Sequence, residues 1–475
     1  MPARLAVGRK HVFTDWSFTE AGYGVAWSTQ PRPSLMPSGV RIVVFRPVLH
    51  PQPVILPERP WESHFINAYS TWFEDEGRFR LYYEAYSAYD KGDFSARLCY
   101  AESEDGVRWE RPSLGIVDFG GSRENNIVYA EENSGGRSPH GAHVHKDPSA
   151  PPAERYKMVH CAQDDRGAYL AAALSPDGLH WTPVEEPVLR WASDTQTVVF
   201  WDELCGHYKG YFRGWPTGSL WSGRRTVDHA VTDDFRHWPN PRFCMVTDAG
   251  DPPGTDIYTN SAMPWPGAQD AYLAFPCFYP RSADTMETHL WASRDGALWQ
   301  RPLREPLLAA GPPEGDHFAG LVAGQGLIET APGEWSLLVA KRTVTHNETH
   351  YEGRWTDRGG LWRATIREDG FMAVEAEARG EFWTVPFELE GDRLELNAWT
   401  HFGGEVRVAV VPQGAEESGA GFALDDCDPV TGDALWTTVT WRGSPDLSPL
   451  RGKPVRLHWQ LTRGRLYTFR TVLAG

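Results

Sequence analysis

Along this chain, apolar and polar residues alternate in short runs, and no run of any length follows a helical spacing. After Gly380 the alternation is regular. Phe387/Leu389, Leu394/Leu396, Val406/Val408/Val410 and Val455/Leu457/Trp459/Leu461 are separated by polar neighbours. A period of two is that of a half-buried antiparallel strand. Upstream the runs come in sets of three: 67–73, 79–86 and 96–102; 141–145, 156–161 and 169–174; 195–201, 208–215 and 225–231; 257–263, 271–278 and 287–292; 320–328, 335–340 and 361–366. A tight turn closes each set and feeds a fourth strand.

That turn is one repeated motif. It reads Ser-Glu-Asp-Gly-Val-Arg-Trp at 103–109, Ser-Pro-Asp-Gly-Leu-His-Trp at 175–181, Thr-Asp-Asp-Phe-Arg-His-Trp at 232–238 and Ser-Arg-Asp-Gly-Ala-Leu-Trp at 293–299. A degenerate copy without the Trp is Arg367-Glu-Asp-Gly-Phe371. Asp-Gly between extended runs makes a tight hairpin because Gly accepts a positive φ. The Ser or Thr two residues earlier hydrogen-bonds the turn. Strand-rich units repeated roughly every 55–75 residues mark a propeller or similar array. The expectation is an all-β chain: a five-bladed β-propeller over 61–378, followed by a C-terminal β-sandwich over 379–475. Residues 1–60 form a Pro-rich lead-in whose strand, at 39–45, is expected to complete the last blade and close the ring.

Five such blades followed by a sandwich resemble the glycoside hydrolases of family 32. The propeller alone resembles families 43, 62, 68, 117 and 130. Within that group the Ser-x-Asp-Gly-x-x-Trp turn and the Asn-Asn-Ile-Val segment at 125–128 resemble family-32-like relatives. The resemblance implies a carbohydrate-active enzyme with its site on the propeller axis. The family-32 motifs Trp-x-Asn-Asp-Pro-Asn-Gly and Glu-Cys are absent. Its Arg-Asp-Pro is echoed by Lys146-Asp147-Pro148, but Asp147 follows the first strand of its unit, in the turn position held elsewhere by Asp75 and Asp202.

In a propeller the first strand of each blade lines the axis, and its entrance opens on one face. The carboxylates there are Glu62, Asp194, Asp256 and Asp316. Glycoside hydrolysis needs a proton donor and a second carboxylate, and Asp194, Asp256 and Glu62 are the expected catalytic set. His140, His143, Gln196, Arg213, Tyr258, Asn260, Asp316 and His317 are the expected substrate contacts. Arg213 lies between aromatic residues and suits a carboxylate or phosphate. His143-x-His145 is a possible metal pair, but spacing supplies no third ligand, so neither metal nor cofactor is expected. His346 and His350 have a zincin-like spacing without the required Glu.

Composition narrows the partners. The 22 Trp, 17 Tyr and 21 Phe suit packed sheets and sugar-facing clefts alike. A net charge of -17 argues against nucleic acid or an anionic membrane. The six cysteines are scattered without a C-x-x-C pair, and neither a signal-like nor a membrane-length apolar run occurs. A cytoplasmic location with reduced thiols is therefore expected. The expected activity is hydrolysis of a short oligosaccharide. The rival readings are a phosphorylase, which needs Arg213, Arg224 or Arg225 turned inward, a sugar lyase, and a non-catalytic sugar-binding propeller.

Overall fold

The computed structural model describes residues 3–20, 35–87, 95–216, 223–311, 318–347, 358–415 and 421–474. Among them there is no α-helix, and no helix long and apolar enough to cross a membrane. The chain divides into two compact units. One comprises Met1–Phe45, Trp265–Ala271 and Arg367–Gly475; the other comprises Arg46–Pro264 and Tyr272–Ile366.

The larger unit is built of antiparallel meanders. The first runs Phe65–Asp75, Arg78–Tyr86, Arg97–Ser103 and Ile127–Tyr129. The second runs His143–Lys146, Tyr156–Asp164, Gly167–Ser175 and Thr182–Pro183. The third runs Val198–Asp202, His207–Gly214, Thr226–Thr232 and Arg242–Met245. In the fourth each inner strand is split. Thr255–Thr259 pairs with Cys277–Pro280, while Met263–Pro264 pairs with Tyr272–Ala274. Ser261 at φ 43 and Pro276, which has no N–H, break these strands. The fifth consists of Gly320–Ala331, Glu334–Arg342 and Leu361–Arg367, and its outer strand is Val48–Ile55.

That outer strand corrects the sequence reading. The segment expected to complete the last blade was 39–45, but Arg41–Val44 pairs with Met372–Trp383 in the other unit. Val48–Ile55 carries Pro51 and Pro53 and reads poorly as a strand. A strand lacking those donors is confined to a sheet edge, and the edge of the fifth meander is where it sits.

Each of the first three meanders is tied to the next by one buried cluster. The turn aspartate after the first strand meets a cation on the second strand and a Tyr opening the second strand of the following meander. Asp75 is paired with Arg80 at 2.7 Å and with Tyr156. Asp147 is paired with Lys157 at 3.1 Å and with Tyr208. Asp202 is paired with Lys209 at 2.8 Å and with Tyr272 at 2.5 Å. Asp147 is thus a structural aspartate. The Asp-Gly turns pack into the same seam: Arg80 and Lys209 donate to the carbonyls of Asp177 and Asp295, each at 2.6 Å. Gly178 has φ 79, and a Cβ there would lie 2.4 Å from the Tyr82 hydroxyl. None of Trp109, Trp181, Trp238 and Trp299 lines the main cavity.

These clusters predict an acid limb of stability. Burial opposes charge on Asp75, Asp147 and Asp202, but their Lys and Tyr partners prevail and hold all three below the usual carboxylate range, Asp147 at about 2. A depressed folded-state pKa stabilises the fold above the unfolded value of about 4, and that contribution is lost as pH falls toward about 2. Unfolding free energy measured from pH 5 to pH 2 is expected to drop steeply. A flat profile would show that these carboxylates titrate alike in both states.

The smaller unit holds one continuous eight-stranded sheet. Its spine is Arg393–Pro412 against Pro454–Val472, with register shifts between Asn397 and Ala398 and between Thr400 and Glu405. Leu394, Leu396, Val406, Val408, Val410, Val455, Leu457, Trp459 and Leu461 are all fully buried in its core, so the alternation marks the inward face. The C-terminal stretch of this unit starts at Arg367 rather than near 379, and within it Met372–Trp383 is one strand paired along Pro454–Val472. The degenerate turn belongs here. Asp369, at φ 58, is buried against Lys10, Trp265 and Thr468.

Candidate active site

The entrances of the first strands converge on a cavity of about 550 Å³, within the range of small-molecule sites. Its wall includes Phe65, Asn67, Tyr69, Tyr86, His140, Asp194, Arg225, Tyr258, Arg342 and His346. Aromatic rings dominate, and Asp194 is the one carboxylate among the described residues of the lining.

Asp194 is held from two sides. The His140 Nε2 lies 3.2 Å from its Oδ1. Arg213, only 1% exposed, donates to the Asp194 backbone carbonyl, to its Oδ2 at 3.3 Å and to the Tyr258 carbonyl at 2.8 Å. Burial would raise the Asp194 pKa, but the hydrogen bond from His140 and the charge of Arg213 outweigh it and hold the carboxyl far below its usual range. Its side chain keeps 35% exposure, so an ionised oxygen faces the cavity.

Behind His140 stands Glu84, in the middle of the strand Arg78–Tyr86 and 1% exposed. Its Oε1 is 3.1 Å from His140 Nδ1 and accepts from Asn67 at 2.9 Å and Tyr86 at 2.5 Å. Its Oε2 accepts from the Gly141 N–H at 2.6 Å. Burial disfavours charge on the His140 ring, yet the Glu84 charge and the hydrogen bond to Asp194 lift its pKa well above the usual histidine value. The result is a Glu84–His140–Asp194 chain in which a carboxylate faces each nitrogen of the central ring and favours its doubly protonated form. At another part of the wall, the Tyr258 hydroxyl is 2.8 Å from His346 Nε2. The Tyr258 ring also faces both Arg213, at 4.5 Å, and Arg225, at 5.1 Å.

Gly141 makes this geometry possible. It has φ 68, and a Cβ there would lie 2.2 Å from the Thr195 carbonyl oxygen. Gly141→Ala is expected to cost about 2–5 kcal/mol, from left-handed strain and overpacking together. Denaturant unfolding checks this, and a variant as stable as the parent would show that the turn relaxes freely.

The structure brings His140, Asp194, Arg213 and Tyr258 together, but not the other expected residues. Glu62 is fully buried, accepting from Tyr83 at 2.6 Å and paired with Arg111 at 2.8 Å. Asp256 is fully buried between Arg225, at 2.5 Å, and Arg281, at 2.9 Å. Neither lines the cavity. Both serve as buried counter-ions, so the expected trio of facing carboxylates is not assembled. His143 is buried with its pKa pushed down to about 3 by desolvation, and it stacks on His145 at 6.0 Å. Among the described residues no group of three or more His, Cys, Asp or Glu is placed to hold a metal ion. Gln196 donates to the Ser70 and Ala142 carbonyls, each at 3.1 Å, bridging meanders. Asn260 caps a turn through the Ala262 N–H at 3.1 Å. Asp316, His317 and His350 lie outside the described residues.

Sequence reasoning missed Glu84, Tyr86 and Arg342. Glu84 carried a signal: it is a lone carboxylate within the apolar run 81–86, and a buried carboxylate demands partners.

No protein-family profile and no curated protein matches the chain. Solved structures do. The catalytic domain of a Coprinopsis cinerea family GH62 α-L-arabinofuranosidase is 12% identical, with 68% of this chain and 97% of that one covered at TM-score 0.45. A Bacillus subtilis glycoside hydrolase family 43 arabinoxylan arabinofuranohydrolase, in complex with cellotetraose, is 12% identical, with 90% and 99% covered at TM-score 0.40. An N-acetylgalactosamine deacetylase from F. plautii, in complex with blood group B trisaccharide, is 13% identical, with 78% and 96% covered at TM-score 0.40.

Proposed function

We propose that this protein is a glycoside hydrolase acting on the end of a short saccharide, its five meanders forming the blades of a propeller and its smaller unit a β-sandwich. The observation that carries the reading is the ionised carboxylate of Asp194, aimed into an aromatic-lined cavity and held by His140 and Arg213. Aromatic faces suit sugar C–H surfaces, while Asn67 and Asn347 supply hydrogen bonds to hydroxyls.

In this reading Asp194 meets the anomeric carbon. A carboxylate of strongly lowered pKa is a weak proton acceptor but stays charged, which suits stabilisation of an oxocarbenium-like transition state or direct nucleophilic attack. His140 is a positioning residue: charged by Glu84, it orients Asp194 and keeps it ionised. Proton delivery to the leaving oxygen is assigned to the His346–Tyr258 pair.

The test is release of reducing sugar from a panel of oligosaccharides and nitrophenyl glycosides by the parent, Asp194→Asn and His346→Gln. Asp194→Asn should lose both substrate types. His346→Gln should lose about 10²-fold or more on saccharides and far less on nitrophenyl glycosides, whose leaving group needs little protonation. Equal losses on both would remove His346 from the acid role. Full activity of Asp194→Asn would overturn the assignment of the site.

A further inference from the structure

A second pocket, of about 260 Å³, opens beside the cavity and shares Arg225, His346 and Asn347 with it; Trp215, Tyr279 and Arg281 complete its described wall. Among the described residues no carboxylate lines it. Asp256 lies behind the wall, fully buried, and is the one carboxylate that both Arg225 and Arg281 grip. Asp284 is not among the lining residues but stands next to them, accepting from Tyr279 at 2.7 Å and from Asn347 at 2.8 Å.

The two guanidiniums therefore present donors beyond those that Asp256 satisfies. Arg281 keeps 45% of its side chain exposed. The Arg225 Nε is buried and has no hydrogen-bond partner among the described residues. Arg225 also lies over the Trp215 ring at 5.7 Å, which fixes the plane of its fork. The Trp215 indole N–H is spent on the Ala192 carbonyl at 3.0 Å and the Asn347 amide on Asp284, so the two arginine forks supply the donors, in the geometry that oxyanions take. The chain carries a net charge of -17 and repels anions in general, so such a patch acts only on an anion brought against it.

We propose that this second pocket is an anion subsite, and that the saccharide held at Asp194 is an acidic one whose carboxylate, sulfate or phosphate group docks between Arg225 and Arg281. This deepens the reading of the cavity as a sugar site and rests on it. It also gives Asp256 a role that its burial explains: it orients two arginines for the ligand and leaves their outer donors open.

The test is calorimetric binding to the full chain, in the Asp194→Asn background to prevent turnover. The probes are glucuronate, galacturonate, galactose 6-sulfate, galactose 6-phosphate, their neutral parents and inorganic phosphate. At least one class of acidic sugar is expected to bind about tenfold or more tighter than its neutral parent, as charge-assisted hydrogen bonds allow. Uronates against sulfated or phosphorylated sugars identify which group the pocket takes. Arg281→Gln should abolish the preference. Should that variant fold poorly, the same preference in the Asp194→Asn protein must weaken as salt rises from 50 to 500 mM, values chosen to span the screening range. Neutral and acidic sugars binding equally would overturn the anion subsite while leaving the sugar site standing. Binding of inorganic phosphate alone would overturn a sugar-borne anion. Binding of no sugar at all would bring down the subsite together with the reading of the cavity.

Discussion

Asp194→Asn is expected to lower turnover by about 10²–10⁴ and leave the protein folded. The substitution keeps shape and removes charge. In the parent, Asp194 is ionised far below its usual range because His140 and Arg213 both face it. The amide of Asn still accepts one hydrogen bond but cannot offset positive charge developing at an anomeric carbon. Arg213 retains the carbonyls of residues 194 and 258, so its buried charge keeps two partners. The pH profile carries a second signature. No acid limb above about pH 4 should come from Asp194. His140 should contribute to the alkaline limb beside the proton donor, because its raised pKa means that its proton, and the order it imposes, is present below its folded value and lost as pH rises past it. Steady-state rates from pH 4 to 10, with thermal unfolding of each variant, check both. Parent-like turnover in Asp194→Asn would remove the carboxylate from the chemistry.

The second large effect concerns stability alone. Asp147→Ala removes the acceptor of a buried cluster and leaves Lys157, 3% exposed, without its counter-ion. Breaking a buried pair from one side costs about 3–5 kcal/mol, because an uncompensated charge stays inside. Tyr208→Phe, which deletes one hydrogen bond to the same carboxylate, should cost about 1.5–3 kcal/mol. Neither residue lines the cavity, so the folded fraction should keep the parent's rate. Urea unfolding followed by two probes is the measurement, since two compact units need not unfold together. A loss under about 1 kcal/mol for Asp147→Ala would show that Lys157 finds another partner.

Much of the architecture was legible from local signals. The alternation of Leu394/Leu396 and Val406/Val408/Val410 marks an inward face because successive side chains point to opposite sides of a strand. The Asp-Gly turns at 105, 177 and 295 declare themselves because the Ser, Asp and Gly that close them lie within three residues of one another. The turn positions of Asp75, Asp147 and Asp202 were visible for the same reason. Placing the site at the strand entrances brought in His140, Asp194 and Tyr258. What the sequence could not show depends on pairing across distance. Asp256 and Asp194 look alike at a strand entrance. One is buried between Arg225 and Arg281 and the other faces the cavity, and that difference is made by side chains from other strands. Glu84 meets His140 across 56 residues of chain, with no periodicity linking them. The choice between 39–45 and Val48–Ile55 as the outer strand of the fifth meander fell to the strand whose prolines only an edge tolerates. Local hydrogen-bonding patterns are written in neighbouring residues; which buried charge meets which is decided only when the strands carrying them are laid side by side.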